Sequence, residues 1–118
     1  MDNQPSFHDG FLDGLLTSQS GPARVFLRTV RGEKFTLLLE DILMLTLNEF
    51  REGNIIFGVD FLDPSQLDPS AVGDCDLAAW IERAREKQLR ALQISASYGG
   101  TLVAMFRRHV FADGYVTS

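Results

Sequence analysis

The segment ALQISASY-GG-TLVAMFRRHVF, residues 91–111, carries a strong local signal that decides the fold. Leu92, Ile94, Ala96 and Tyr98 alternate with Gln93, Ser95 and Ser97. After two glycines, Leu102, Ala104 and Phe106 alternate with Thr101, Val103, Met105, Arg107 and His109. A period of two places successive side chains on opposite faces of a strand. Gly99-Gly100 can supply the positive φ values of a tight two-residue turn. The segment therefore reads as an antiparallel hairpin, and it makes the fold β-rich.

The same reading extends upstream. Residues 24–30 and 35–39 form a second hairpin around Arg31-Gly32-Glu33, with Phe35, Leu37 and Leu39 on one face. Residues 42–47 are apolar on both parities, which fits a strand buried on both faces or an oligomer face. Residues 55–62 place Ile55, Phe57, Val59 and Phe61 on one face and Ile56, Gly58, Asp60 and Leu62 on the other. Residues 48–54 read as a polar loop. Residues 7–16 show a broken period of two interrupted by Gly10 and Gly14, which suggests an edge or bent strand. A helix competes there, because Phe7, Phe11 and Leu15 also stand four apart, but two glycines weaken it.

One helix is expected over residues 76–90. Leu77, Trp80, Ile81, Ala84 and Gln88 follow the i, i+3, i+4, i+7 pattern. Asp74 or Asp76 can cap its start, and Arg85, Lys87 and Arg90 suit its carboxyl end. Glu86 and Arg90 would form an i, i+4 pair. Residues 63–76 form a long connection broken by two Asp-Pro pairs, and residues 1–6 are polar and frayed. The expected fold is one α+β domain, residues 1–118. A curved, mostly antiparallel sheet or partial barrel of five to seven strands carries one covering helix.

Composition bounds the function. The chain has 118 residues, 11 Lys plus Arg, 16 Asp plus Glu, a formal charge of -5 and 45% hydrophobic residues. That describes an ordinary globular domain able to build a core without disulfides or structural zinc. The acidic balance argues against a nucleic-acid partner. The one arrangement favouring it is Arg24, Phe26 and Arg28 on one strand face, with Arg107 and His109 on one face of the last strand. No apolar run approaches the length of a membrane span. The start lacks the basic and apolar regions of a secretory signal, so a cytoplasmic location is expected. The lone Cys75 lies between Asp74 and Asp76, whose charges would blunt a thiolate.

Cofactor motifs are missing: there is no GxGxxG, GxxxxGK[ST] or GxSxG, and no cofactor is expected. The two histidines, His8 and His109, could meet only if the first and last strands were neighbours. Asp9, Asp13 or Asp113 could then complete a metal site. Three functions follow. The first is a non-enzymatic accessory or interaction protein acting through a sheet edge or oligomer face, with a homodimer as the expected assembly. The second is a ligand-binding module with an apolar, phenylalanine-lined pocket between sheet and helix. Arg28 or Arg107 would anchor an acidic ligand there, beside Phe26 and His109. The third is a small hydrolase using His8 and nearby carboxylates.

The opening Phe7-His8-Asp9-Gly10-Phe11-Leu12-Asp13-Gly14-Leu15 resembles the start of some small uncharacterised bacterial β-rich proteins. Those begin with a His-Asp-Gly or His-Asp-Ala segment followed by short strands, and some immunity-like proteins start comparably. The resemblance spans about ten residues and brings no catalytic residue. It implies an interaction or accessory role.

Overall fold

The computed structural model describes residues 6–19, 21–51, 53–67 and 76–117. Among these residues eight strands form one sheet: β1 Phe11–Leu16, β2 Ala23–Arg28, β3 Lys34–Glu40, β4 Met44–Asn48, β5 Asn54–Leu62, β6 Arg90–Tyr98, β7 Thr101–Phe106 and β8 Arg108–Asp113. A short 3-10 turn, Pro64–Gln66, and one helix, α1, Leu77–Glu86, lie between β5 and β6. The strand order is β4-β7-β6-β5-β1-β2-β3-β8, and every pairing is antiparallel. This is the expected α+β architecture, a curled antiparallel sheet with one covering helix, not fully closed into a barrel.

The order contains a continuity that makes it curl. β3 leads into β4 and β7 leads into β8, yet β4 and β8 stand at opposite ends of the order. β3 pairs with β8 and β4 pairs with β7, so one bent ribbon supplies both ends. At the bend, Asp41, Ile42 and Leu43 oppose Phe106 and Arg107, one residue more on one side than on the other. Such a bulge bends and twists a ribbon locally. Asp41 takes up the extra residue in the left-handed region, at φ 54°. The backbone N–H of Arg107 donates to the Glu40 carbonyl at 3.0 Å, and that of Leu43 to the Met105 carbonyl at 2.9 Å.

The bend divides residues 101–111, expected as one strand, into β7 and β8, which brings the count to eight. It also reverses the faces beyond it. The alternation placed His109 with Arg107 and away from Phe106. Instead the His109 ring lies 6.0 Å from that of Phe106 and 5.9 Å from that of Phe111, on the inner side.

Two apolar cores share the sheet. Inside the curl pack Leu12, Val25, Leu27, Leu37, Leu39, Ile56, Leu92, Ile94, Leu102 and Phe106, all almost fully buried. Phe7 closes this core against the rings of Phe35 at 5.7 Å and Phe111 at 5.8 Å. On the outer side, α1 sets Leu77, Trp80, Ile81 and Ala84 against Ala91, Val103, Met105 and Met44. β7 thus lies between both cores, and Leu102 to Phe106 are all buried. β4 also serves both: Met44 joins the outer core while Leu45 and Leu47 pack on the inner one. That dual role explains the apolar residues on both parities of 42–47.

Several expected elements change for local reasons. The helix ends at Glu86 rather than near residue 90, because Gln88 turns left-handed at φ 57°. The Leu89 N–H then reaches back to the Ala84 carbonyl at 2.8 Å. Leu89 is buried where Gln88 was expected to pack, and Arg90 begins β6, so no Glu86–Arg90 helical pair forms. Asp76 does cap α1, accepting from the Ala79 N–H at 3.4 Å. Residues 7–16 contain a bent strand, β1, with a register shift between Leu12 and Gly14. That strand lies inside the sheet rather than at its edge. In β5 an irregularity at Phe57 lets Ile56, Val59 and Phe61 all reach the inner core, while Phe57 turns outward. Residues 1–5 of the expected frayed start, and 68–75 of the long connection with Cys75, lie outside the described residues.

The glycine pair does not make a two-residue turn. The last β6–β7 pair is Ile94 with Leu102, whereas a two-residue turn would pair Tyr98 with Thr101. β6 instead runs on beside β5 to Tyr98. The glycines are needed for close approach. A Cβ on Gly100 would stand 2.4 Å from the Asn48 carbonyl oxygen, and one on Gly99, at φ +94°, 2.1 Å from Asn54 Oδ1. Asn54, 1% exposed, ties this corner together. Its Oδ1 accepts from the N–H groups of Arg51 and Gly100, each at 2.8 Å. Its Nδ2 donates to the carbonyls of Leu12, at 3.3 Å, and Arg51. Both donors and both acceptor sites of the amide are used.

Two predictions follow from this corner. Asn54→Ala strands buried groups on three segments and should lower unfolding free energy by about 3 kcal/mol, read from urea denaturation with an unchanged slope. Gly100→Ala should cost about 2 kcal/mol or more in the same measurement, because backbone atoms must shift. A cost of only a few tenths would show that Gly100 is merely a flexible turn residue.

Candidate functional site

The outer face of β1, β2 and β3 carries a built polar network. Arg24, Phe26 and Arg28 share this face, as the alternation of β2 requires, while Ala23, Val25 and Leu27 point into the core. The bulge in β1 brings Asp13 beside Arg28. The guanidinium donates twice to that carboxylate, from Nε at 2.8 Å and from Nη2 at 3.1 Å. It also lies 4.2 Å above the centre of the Phe11 ring. This two-point pairing with a planar carboxylate is the strong form of an ion pair.

The chain end straps across the same face. Thr36, fully buried, donates from its hydroxyl to the Gly114 carbonyl at 2.7 Å and accepts from the Val116 N–H at 2.8 Å. Tyr115 then rests 5.1 Å from the Phe26 ring, and its hydroxyl donates to Asp13. The Lys34 ammonium stands 5.4 Å over the Tyr115 ring. The Arg28 hydrogen bonds, aided by the one from Tyr115, hold the Asp13 carboxyl below its ordinary range despite partial burial. Burial and then the bond to Asp13 push the Tyr115 phenol up to about 12.

The candidate residues do not converge. Arg28 lines a groove of about 480 Å³ with Leu12, Asp13, Phe50, Arg51 and Gly53. Arg107 lies at the ribbon bend, 3.4 Å from Asp41, and lines another groove of about 430 Å³. Phe26 is under the strap. His109 stacks on Phe61 at 4.0 Å, inside the curl. Arg90 Nη1 lies 3.2 Å from His109 Nδ1. A third groove, about 650 Å³, opens at the ribbon bend between residues 17–23 and 40–45, with Pro22, Ile42 and Leu45 on its apolar side. Helix and sheet are in direct contact through Trp80, Ile81, Met105 and Val103.

His8 sits on the outside, in the turn before β1. Its Nδ1 lies 2.7 Å from the Phe57 carbonyl and its Nε2 3.7 Å from Asp9. Both side chains are exposed. β1 and β8 are separated by β2 and β3, so the first and last strands are not neighbours. Among the described residues no cluster of three or more His, Cys, Asp and Glu could hold a metal ion. No helix among them is long and apolar enough to cross a membrane.

Sequence reasoning missed three features of the molecule. Asn54 read as one more polar loop residue. Tyr115 stood in a tail without periodicity, although an aromatic residue just after the Asp113-Gly114 turn was a usable signal. The third is a set of exposed aromatic side chains on neighbouring segments beside the network. Tyr98 stands next to Ile55, and Ile55 next to Phe11, in register across β6, β5 and β1. Phe57 lies two residues beyond Ile55, and the Phe50 backbone packs on Gly100. Phe50, Phe57 and Tyr98 are 45%, 62% and 51% exposed. The Arg51 guanidinium lies 5.9 Å from the centre of the Tyr98 ring.

The strap gives a pH signature. The raised phenol of Tyr115 contributes stability that is complete below the ordinary tyrosine range and is lost as pH rises towards about 12. The lowered Asp13 contributes stability present above the ordinary carboxylate range and lost as pH falls through its folded value. In thermal melts across pH, Tyr115→Phe should remove part of the alkaline loss, and Asp13→Asn part of the acid loss. Unchanged pH profiles in both variants would rule out the network. No protein-family model matches the chain, and neither a curated protein nor a solved structure matches it.

Proposed function

We propose that the chain is a small, non-enzymatic interaction protein of the cytoplasm. It docks a partner protein on the outer surface around Phe50, Phe57 and Tyr98. The exposure of these three aromatic side chains on adjoining segments carries the reading. Aromatic side chains are enriched where proteins meet, and contiguous apolar patches mark such sites. Arg51 beside Tyr98 suits a partner that offers an apolar surface with acceptor groups at its rim. A single cysteine in the chain is compatible with a reducing compartment. A two-fold homodimer belongs to the same reading. The small-ligand alternative draws on the groove beside Arg28, where Asp13 already holds the guanidinium on two atoms. The hydrolase alternative draws on His8 and Asp9, which lie exposed outside the curl.

Photo-cross-linkers placed at Phe57 and at Tyr98 in the native cell should capture one and the same protein. A cross-linker at Val30, equally exposed on the β2–β3 turn, should not capture it. With that protein purified, Phe57→Ser should weaken binding about tenfold or more, as expected of an anchoring aromatic residue. Different captures at the two positions, or a stoichiometric small molecule in native mass spectrometry, would overturn the reading.

A further inference from the structure

Arg24 stands among apolar side chains on the outer face of β1, β2, β3 and β8. Leu16 pairs with Arg24, Arg24 with Leu38 and Leu38 with Val110, so these residues form one row across four strands. Ala23 and Val25 point into the inner core, which sets Arg24 outward between them. Leu16 is 38% and Val110 42% exposed, and Leu38 is half-buried. Phe26, two residues along β2, packs against the Tyr115 ring. The Arg24 Nε is buried and has no hydrogen-bond partner. No hydrogen bond, ion pair or ring contact of this guanidinium is present among the described residues.

An arginine stays charged in a protein, and a buried donor without an acceptor costs stability. Such a group in a folded chain calls for a reason. The strands around it supply no carboxylate. Asp13 of β1 is held by Arg28 and by the Tyr115 hydroxyl. Glu40, two residues beyond Leu38, gives both oxygens to Arg108, at 3.0 and 3.2 Å. Asp113 of β8 stands opposite Phe35, which packs on the inner core. The group that would satisfy Arg24 therefore comes from outside the chain.

The surroundings select its chemistry. Nucleic acid and anionic lipid surfaces are held by several cations together. Here one guanidinium stands in an aliphatic row, and the neighbouring cation on β8, Arg108, is already paired with Glu40. One guanidinium matches one carboxylate through two parallel hydrogen bonds. The rim of Leu16, Leu38 and Val110 matches apolar side chains beside that carboxylate and keeps water from the pair. A desolvated arginine ringed by apolar contacts is a common energetic centre of protein interfaces.

We infer that the row Leu16–Arg24–Leu38–Val110 docks a segment of a partner protein that sets one Asp or Glu carboxylate on Arg24 and apolar side chains around it. This surface is separate from Phe57 and Tyr98 and stands without that reading.

The uncomplexed full chain gives the first readout. Arg24→Met keeps an unbranched apolar side chain and removes the unpaired group, so the thermal midpoint should rise by about 4 °C. An unchanged or lower midpoint would show that the fold already satisfies the guanidinium and would overturn the inference. The second readout uses a random-peptide phage library panned on the full chain. It should yield peptides with one Asp or Glu between apolar residues. Once synthesised, these should bind Arg24→Met and Arg24→Lys about tenfold more weakly or worse, and Phe57→Ser with unchanged affinity. Replacing the carboxylate residue of the peptide by Lys should abolish binding to the native chain and restore it to Arg24→Glu. Selected peptides without a carboxylate, or equal affinities for the native chain and Arg24→Met, would overturn the inference. Peptides that require Phe57 and Tyr98 but ignore Arg24 would overturn it and leave the aromatic docking surface standing.

Discussion

The bulge where Asp41, Ile42 and Leu43 oppose Phe106 and Arg107 governs the molecule. A single ribbon must serve both ends of the strand order, and it can do so only if the sheet curls back towards itself. The curl creates an inside, and the inside needs filling. Leucine, isoleucine and valine from six strands supply the bulk, and the rings of Phe7, Phe35, Phe61, Phe106 and Phe111 fill the rest. Aromatic pairs in edge-to-face contact add about 0.5–1.5 kcal/mol each beyond simple burial. The curl therefore rests on side-chain packing where backbone pairing stops.

The outer face is divided by what covers it. The helix takes the part over β6, β7 and β4, where Ala91, Val103, Met105 and Met44 would otherwise meet water. The chain end takes the part over β2 and β3, with Thr36 bonded at two points and Tyr115 over Phe26. Two areas stay partly exposed, the aromatic surface around Tyr98 and the row from Leu16 to Val110. These two areas have different chemistry. One is aromatic with a neighbouring arginine. The other sets Leu16, Leu38 and Val110 around Arg24 and ends on the outermost strand, β8.

Legibility in the sequence followed locality. The strand 35–39 alternated cleanly, and its core face, Leu37 and Leu39, is the buried one. The amphipathic stripe of Leu77, Trp80, Ile81 and Ala84 packs as its spacing requires. The cap at Asp76 was equally local, because it depends only on residues three apart. Where the reading failed, a distant partner decided. Gly99-Gly100 looked like a turn signal, but the glycines answer to Asn54 and to the backbone of residues 48–50. Phe57 looked like a core residue on an alternating strand, until an irregularity shifted the alternation. The network of Asp13, Arg28 and Tyr115 joins residues 15 and 102 apart in the chain, a separation no periodicity can report.

The sequence alone determined the class of the fold, because period-two and period-3.6 patterns are set by neighbouring residues and by the geometry of strand and helix. It also determined that one short helix would cover a sheet face. Only the tertiary structure decided strand order, the reversal of faces after Arg107 and the strap of Tyr115. Only it showed which apolar residues stay outside. Those features depend on which surfaces meet after the ribbon bends, and a single bulged residue changes the partner of every side chain beyond it.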